Sequence, residues 1–438
     1  MRLSFKILIV FGLTVALLIP LAMIRGTVED RQRYRAEAIA EVARSTAGTQ
    51  ALVGPVLVVP YTDRVVTLRT DESGVQRRVE QARTGTWTFF PQTLEVRGRL
   101  QSLPRMRGLH EVRVFELASQ VRASFRVTIP RSEDPATRRT VGRARLGIGL
   151  RDVRGLVGVP TLRVAGVSRA LRQGLGPDGG SGLHAILERP EAGQALEFEA
   201  EFRASLQGTE TLSIAPLATR NVIALESSWP HPQFHGDFLP RSREIRADGF
   251  LARWEVSSLA TNAQAQYRSA AQGSGPAGAA VDAISVSLVD PVNVYSQVGR
   301  ATKYGVLFVL LTFAAFFVFE LLRRLRIHPV QYGLVGLAIS IFFLLLLALS
   351  ERIAFGIAYL VAAVACVGLI GYYLGHVLGG WLRGAGFAAM LATLYAALYG
   401  LLISEDNAMV LGAGLLFLVL AAIMVLTRRI DWYQSTVS

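Results

Sequence analysis

The chain has 438 residues, of which 51% are hydrophobic, and its mean hydropathy is +0.37. It is too apolar for an ordinary soluble protein, which indicates membrane-spanning segments joined to a polar domain. The formal net charge is +13, but the basic residues are dispersed among acidic ones, so a nucleic-acid-binding protein is not expected. Because Cys366 is the only cysteine, intrachain disulfides and cysteine-ligated metal sites are excluded.

Nearly all basic residues are arginine, since lysine occurs only at Lys6 and Lys303. The ordinary interpretation of this charge is an arginine-rich, solvated surface. The alternative is attraction to anionic lipid headgroups or to cell-surface polyanions. Both interpretations are compatible with the sequence.

Residues 1–24 predict an N-terminal transmembrane anchor helix. Arg2 precedes an uncharged run, Ile7–Ile24, that is longer than the apolar core of most signal peptides. The residues before Arg25 make a poor cleavage site, so an uncleaved anchor is favoured over a cleaved signal peptide. Residues 25–49 are charged, with apolar residues every three or four positions, which predicts a stalk helix.

The chain from Val53 to Val292 has the pattern of β-structure. Short runs rich in β-branched residues, such as Val53–Tyr61, are separated by turns rich in Gly, Pro and Asp. The glycine-rich stretches at 174–182 and 270–280 predict flexible loops. Together with the stalk, these strands predict a β-rich, antiparallel, sandwich-like domain over residues 25–300.

Five apolar runs follow between residues 301 and 427. Each is long enough to cross about 30 Å of hydrocarbon at about 1.5 Å rise per residue. Four have no charged residue in their central turns, and the fifth has only Arg383, near its start. The chain is therefore predicted to be an α+β membrane protein with one N-terminal and five C-terminal transmembrane helices, ending in a tail at 428–438. The runs are Thr302–Leu322, Val330–Ser350, Ile353–Leu374, about Trp381–Ile403 and Ala408–Leu426.

The short connections predict the orientation of these helices. Arginines follow the second and sixth helices, at 323–326 and 428–429, whereas the alternate connections contain Glu351–Arg352 and Glu405–Asp406–Asn407. Because positively charged loops remain in the cytoplasm, both termini are predicted to be cytoplasmic and the large domain periplasmic. The opposite topology would place the arginine-rich connections outside.

An aromatic and proline-rich stretch, Trp229–Pro240, is the candidate contact loop of the predicted domain. Aromatic residues among polar ones are typical of interaction surfaces. Two histidines and an aspartate also suggest a metal site, but the flanking prolines exclude a helix with both imidazoles on one face, so an ordered loop is favoured. The candidate contact residues are Trp229, His231, Phe234, Asp237 and Phe238, and the third metal-site residue considered is His235.

Two features stand out in the predicted helical block. Glu320 is the one ionisable residue well inside an apolar run, which suggests a proton or substrate role. Arg323 and Arg324, at i+3 and i+4, favour a helix-end ion pair instead. A ladder of small residues predicts close helix packing rather than transport, and its members are Gly371, Gly375 and Gly379.

Five stretches together resemble the CreD family of bacterial inner-membrane proteins, also called the cell-envelope-integrity or colicin-tolerance family. The resemblance runs over essentially the whole chain. It implies a multi-pass inner-membrane protein with a large periplasmic domain, whose expression is tied to the Cre two-component system. It does not imply a catalytic activity and supplies no catalytic residues, and we expect no cofactor. The stretches are Leu52–Pro60, Ser228–Pro240, Arg300–Glu320, His328–Glu351 and Thr427–Tyr433.

We therefore expect a non-enzymatic inner-membrane protein that contributes to envelope integrity and stress response. Besides the lipid bilayer, its expected partner is an envelope lipid, polysaccharide or membrane protein bound by the periplasmic domain. The alternative is a transporter, or an accessory subunit of one, that uses the helical block. Substrate-dependent flux lost in Glu320→Gln would favour this alternative.

Overall fold

The computed structural model describes residues 3–70, 76–108, 110–134, 137–176, 179–271, 281–288, 294–323, 327–377, 380–404 and 408–428. The chain divides into two compact units. We call Met1–Ala36 with Val292–Ser438 the helical unit, and Glu37–Pro291 the strand-rich unit.

The predicted anchor and stalk form one continuous helix, α1 (Leu3–Ser45), with Pro20 inside it. Five described helices, α1 and α3–α6, are long and apolar enough to cross a membrane, while α7 contributes a shorter apolar stretch, Val410–Val425. Several apolar helices are thus present, and the number of six membrane spans remains a prediction. The other helices are α2 (Ala263–Ala271), α3 (Val294–Arg323), α4 (Pro329–Ser350), α5 (Phe355–Val377), α6 (Trp381–Ile403) and α7 (Ala408–Thr427).

Strands dominate the other unit, where alternating apolar residues and turn residues divide the chain into short extended segments. The described strands are β1 (Gln50–Thr70), β2 (Gln76–Phe89), β3 (Thr93–Arg107), β4 (His110–Thr128), β5 (Arg138–Val141), β6 (Arg145–Leu150), β7 (Leu156–Val164), β8 (Val167–Arg169), β9 (Arg172–Gln173), β10 (Gly182–Ile186), β11 (Ala195–Thr209), β12 (Thr211–Ala215), β13 (Arg220–Ser227), β14 (Gln233–Gly236), β15 (Ser242–Arg246), β16 (Gly249–Ser257) and β17 (Ile284–Ser287).

These strands form two mixed sheets. The nine-stranded sheet has the order β14-β17-β12-β1-β6-β10-β9, with β2 and β5 also paired to β1. The eight-stranded sheet has the order β15-β16-β13-β3-β4-β11-β7-β8. The prediction of an antiparallel domain is wrong at two places, because β1 pairs with β12, and β3 with β13, in parallel. The alternation of apolar and polar residues along one strand indicates which face is buried. It does not indicate whether a strand distant in sequence pairs with it in parallel or antiparallel.

The largest buried cluster takes side chains from both sheets. Leu52 and Leu146 come from the nine-stranded sheet, and Phe125 and Trp254 from the eight-stranded sheet. Burying a large apolar side chain stabilises the fold by roughly 1.5–3 kcal/mol. Exposed and buried residues alternate along Thr93–Leu100 of β3, so the opposite face of the eight-stranded sheet is left to polar side chains.

The helical unit has its own core. It takes side chains from α1 and from α3 to α6, including Leu17, Phe316, Tyr332, Phe342 and Tyr395. Aromatic rings pack closely there: the centroids of Phe342 and Tyr395 are 4.7 Å apart. Edge-to-face pairs of this kind add to the stabilisation that burial provides.

Candidate functional site

Part of the predicted contact loop is a strand. Residues Gln233–Gly236 are β14, which pairs antiparallel with β17. Asp237 continues this connection: its amide donates to the carbonyl of Ala283 at 2.9 Å, and its Oδ2 accepts from the amide of Ala283 at 2.8 Å. The Nε2 atom of His235 lies 2.6 Å from Oγ of Ser287. These polar side chains therefore have partners within the sheet.

Two aromatic residues of the stretch pack against the core. Phe234 lies edge-on to Phe250 and Trp254, with ring centroids 5.5 and 5.6 Å apart. The carbonyl of Phe238 accepts a hydrogen bond from the indole of Trp254 at 3.2 Å. Both phenylalanines are half-buried, so they fix the stretch in place more than they offer a free surface.

Trp229 is likewise half-buried, beneath the guanidinium of Arg113, which lies 4.1 Å from the ring centroid. Its indole donates to the carbonyl of His231 at 3.0 Å. The described residues contain no group of three or more His, Cys, Asp or Glu placed to hold a metal ion. The exposed side chains of the stretch include His231, His235, Asp237 and Leu239.

Glu320 lies near the end of α3 and is only 9% exposed. Its Oε2 accepts a hydrogen bond from the hydroxyl of Tyr332 at 2.9 Å, and its Oε1 accepts one from the amide of Ile327 at 3.2 Å. The carboxylate thereby links the end of α3 to the first turns of α4. The side chains of the predicted partners Arg323 and Arg324 lie outside the described part of the chain.

Gly371 and Gly375 of α5 lie against small residues of α6. A Cβ added at Gly384 would stand 2.5 Å from Cα of Gly375 and 2.9 Å from the carbonyl oxygen of Gly371. A Cβ added at Gly371 would stand 2.8 Å from Cβ of Ala388. Small residues four apart on both helices thus allow the two backbones to approach closely. Gly379, the third member of the predicted ladder, lies outside the described residues.

A groove on the polar face of the eight-stranded sheet was not predicted from the sequence. We call it the sheet-face groove; its volume is about 900 Å³, and β3, β4, β7, β11, β13, β15 and β16 line it. Neighbouring strands bring together charged residues that are far apart in the sequence, because paired residues share a face. The charged residues of the groove are Arg97, Arg99, Arg203, Arg243, Arg253, Glu226 and Glu244.

Positive charge in the groove exceeds what its internal ion pairs neutralise. Arg99 pairs with Glu226, whereas Arg97 and Arg243 form no ion pair with any residue that the structure describes. Arg203 donates to Glu201 at 2.7 Å, and this hydrogen bond holds the pKa of the Glu201 carboxyl below its usual range. A surface of this kind is suited to carboxylate or phosphate groups, which accept paired hydrogen bonds from a guanidinium.

The alternation of charge with apolar residues along single strands was the available sequence signal. In β3, Glu95, Arg97 and Arg99 alternate with buried residues, and in β16 Arg253 and Glu255 do the same. This spacing indicates which residues share a face within one strand. It does not indicate which strands become neighbours, so the groove itself could not be assembled from the pattern.

Two solved structures of a metallopeptidase show weak similarity to part of this chain. An M1 zinc metallopeptidase mutant from Deinococcus radiodurans is 9% identical, with a TM-score of 0.20, and the native enzyme is 8% identical, with a TM-score of 0.18. In both comparisons the match covers 38% of this chain and 38% of the peptidase chain. Similarity at this level supports no conclusion about the present protein.

Comparison of sequences is far more informative. The family described as Inner membrane protein CreD matches residues 2–433. Inner membrane protein CreD of Escherichia coli (strain K12) is 36% identical over 433 residues, which is 98% of this chain and 94% of that protein. The chain therefore belongs to the CreD family of inner membrane proteins.

Proposed function

We propose that this protein is a non-enzymatic component of the bacterial inner membrane that supports envelope integrity and stress response by binding an envelope component through its strand-rich unit. The observation that carries the proposal is the sheet-face groove, in which arginines outnumber carboxylates. Family membership supports the location in the inner membrane but names no ligand.

The proposal includes a topology. We propose six membrane spans, with α7 as the sixth, both termini in the cytoplasm and the strand-rich unit in the periplasm, its two sheets packed as a sandwich. The arginine-rich connections at 323–326 and 428–429 support this orientation. The core shared by the two sheets supports the sandwich.

Stability alone does not account for so many exposed charges on one sheet face. Exposed ion pairs contribute only about 0–1 kcal/mol each. The unpaired guanidiniums of Arg97 and Arg243 add no described ion pair at all. Binding of an anionic partner gives these residues a role that folding does not require.

The exposed side chains of the contact stretch form a second candidate surface for the same function. Leu239 is 71% exposed, beside the exposed His231 and Asp237. An apolar side chain next to polar ones is a common composition for a contact area. We propose these exposed residues, rather than the half-buried rings, as the part of the stretch that meets a partner.

Photocrosslinking in living cells tests the proposed function. A photoreactive residue is placed at Val159 in the groove, at Leu239 in the contact stretch, or at Leu259 as a control; these positions are 90%, 71% and 97% exposed. We expect Val159 or Leu239 to yield a specific envelope adduct that is absent at Leu259. Identical background adducts at all three positions would contradict partner binding by this unit.

A transport role is the alternative, and it depends on the buried carboxylate of Glu320. Intramembrane carboxylates commonly mark proton or substrate pathways. Under this alternative, substrate-dependent flux into reconstituted vesicles would be lost in Glu320→Gln but retained in Tyr332→Phe, which leaves the carboxylate in place. Equal flux in both variants and in the native protein would remove the support that Glu320 gives to transport.

A further inference from the structure

One row of paired residues across the eight-stranded sheet contains only neutral and positively charged side chains. We call it the central row. Each of these residues lies on the face of the sheet that is opposite to the buried face. All of them line the sheet-face groove. In order across the sheet, the central row is Ser242, Arg253, Ala224, Arg97, Gln120, Arg203 and Thr161.

The carboxylates of this face stand in the rows on either side. Glu226 and Glu244 belong to the row that contains Arg99. Glu201 belongs to the row on the other side, where it is paired in register with Arg122. The central row is thus a line of positive charge bordered by carboxylates.

The arginines of the central row are regularly spaced. Arg253, Arg97 and Arg203 stand two strands apart in turn, which is about 10 Å per step. Arg97 has no ion pair among the described residues, while Arg203 and Arg253 pair with carboxylates of their own strands at 2.7 and 3.0 Å. Exposed pairs of this kind contribute little, so a ligand's anionic groups can replace them.

We propose that the central row binds a linear anionic glycan that lies across the strands, with its carboxylate or phosphate groups on Arg253, Arg97 and Arg203. This inference rests on the proposed binding function and names its ligand class. Guanidiniums recognise both anions through paired hydrogen bonds. The amide nitrogen of Gln120 already donates to Glu201, so the carbonyl oxygen of that amide and the hydroxyl of Thr161 offer partners for sugar hydroxyl groups.

Two other ligand classes fit this surface less well. An extended peptide usually adds to a free sheet edge through main-chain hydrogen bonds, but β3, β4, β11 and β13 are each paired on both sides. A lipid surface attracts clustered basic residues whatever their spacing, whereas the arginines of the central row repeat about every 10 Å. The repeated positive charges match a chain that repeats its negative ones.

The test uses the full-length protein in detergent and a fluorescent oligogalacturonate, a linear carboxylated glycan, with binding followed by anisotropy. The central-row variant should bind at least about tenfold more weakly than the native protein, because three charge-assisted contacts are lost. The control variant loses the same charge from exposed, ion-paired arginines outside the groove and should change affinity less than about twofold. The central-row variant is Arg97→Gln, Arg203→Gln and Arg253→Gln; the control is Arg64→Gln, Arg107→Gln and Arg126→Gln.

Equal loss in the two variants would overturn the proposal, because binding would then depend on net charge alone. Tighter binding of oligoglutamate or of phosphatidylglycerol nanodiscs than of the glycan would overturn it as well. Thermal unfolding of both variants reports on folding, and Arg97→Gln alone, with a smaller expected loss, replaces the triple variant if that one unfolds.

Photocrosslinking separates the two levels of inference. If the central-row variant loses glycan binding but retains the adduct from Val159, the proposed function stands and the glycan is not its ligand. If the native protein yields no specific adduct from any position, the proposed function fails.

Discussion

Arg139 lies between an aspartate and two aromatic rings. Its Nε and Nη2 atoms are each 2.6 Å from a carboxylate oxygen of Asp63. Its guanidinium lies 4.8 Å from the centroid of Tyr61 and 5.1 Å from that of Trp87. The hydrogen bond from Arg139 lowers the pKa of Asp63 below its ordinary value of 3.8. The ion pair therefore stabilises the fold fully above about pH 4, and this contribution is lost as the pH falls through the lowered pKa.

We expect Asp63→Asn to reduce the free energy of unfolding at neutral pH by about 1 kcal/mol, because Arg139 loses a charged partner at a site only 16% exposed. The variant should also lose part of the acid destabilisation that the lowered pKa of Asp63 predicts below about pH 4. Unfolding followed by tryptophan fluorescence across this pH range measures both effects. Glu197→Gln, at an exposed pair, is the control; equal pH dependence in the two variants would contradict the assignment.

At Glu320, the structure shows a partner that helical spacing did not predict, while the ion pair with Arg323 and Arg324 stays a prediction, because their side chains lie outside the described part of the chain. Arg323 and Arg324 are near in sequence, whereas the hydroxyl that reaches the carboxylate belongs to Tyr332, on the next helix. Helical spacing predicts contacts within a helix but not those across a turn. The hydrogen bonds from Tyr332 and Ile327 contribute to holding the buried carboxylate of Glu320, and only the folded chain provides them.

We expect Tyr332→Phe to lower the free energy of unfolding of the detergent-solubilised protein by about 1–3 kcal/mol, and hence its melting temperature, because a buried carboxylate loses a hydrogen bond. Tyr372→Phe, at a position 61% exposed, is the matched control and should have little effect. A thermal shift assay compares them. Equal stability of the two variants would show that the bond between Tyr332 and Glu320 contributes nothing measurable.

At the scale of elements, the close contact between α5 and α6 depends on glycines, which have no side chain to keep the two backbones apart. We expect Gly384→Ala to destabilise the helical unit by about 1–3 kcal/mol, because the new methyl group meets the backbone of Gly375. Gly386→Ala is on the same helix, where an added Cβ meets nothing within 4 Å, and should be tolerated. Thermal denaturation in detergent distinguishes them, and a tolerated Gly384→Ala would contradict the close approach.

The helices were largely predictable because a long apolar run has few other solutions in a membrane protein. The start of α4 at Pro329 and the end of α6 at Ile403 lie within one residue of the predicted limits. For the strand-rich unit, only the alternation of buried and exposed residues along each strand could be predicted. The parallel pair of β1 and β12, and the strand β14 inside the contact stretch, depend on tertiary partners that no local pattern reveals.

For the whole molecule, the candidate site could not be predicted because it arises from the order of strands in a sheet. Arg97, Arg203 and Arg253 are distant in sequence, yet they belong to one row of paired residues. The dispersed arginines were compatible with a solvated surface or with attraction to polyanions. The register of the eight-stranded sheet is the observation that favours the second interpretation.

The proposed periplasmic position of the strand-rich unit is central to the proposed function, because an envelope ligand would be reached only from that side. Impermeant maleimide labelling of spheroplasts tests it most directly, in a Cys366→Ala background that carries either Leu259→Cys or Arg428→Cys. Leu259 is 97% exposed in the strand-rich unit, and Arg428 is exposed just after α7. We predict labelling of Leu259→Cys in intact spheroplasts and of Arg428→Cys only after lysis. Labelling of Leu259→Cys only after lysis would place this unit in the cytoplasm and contradict the account.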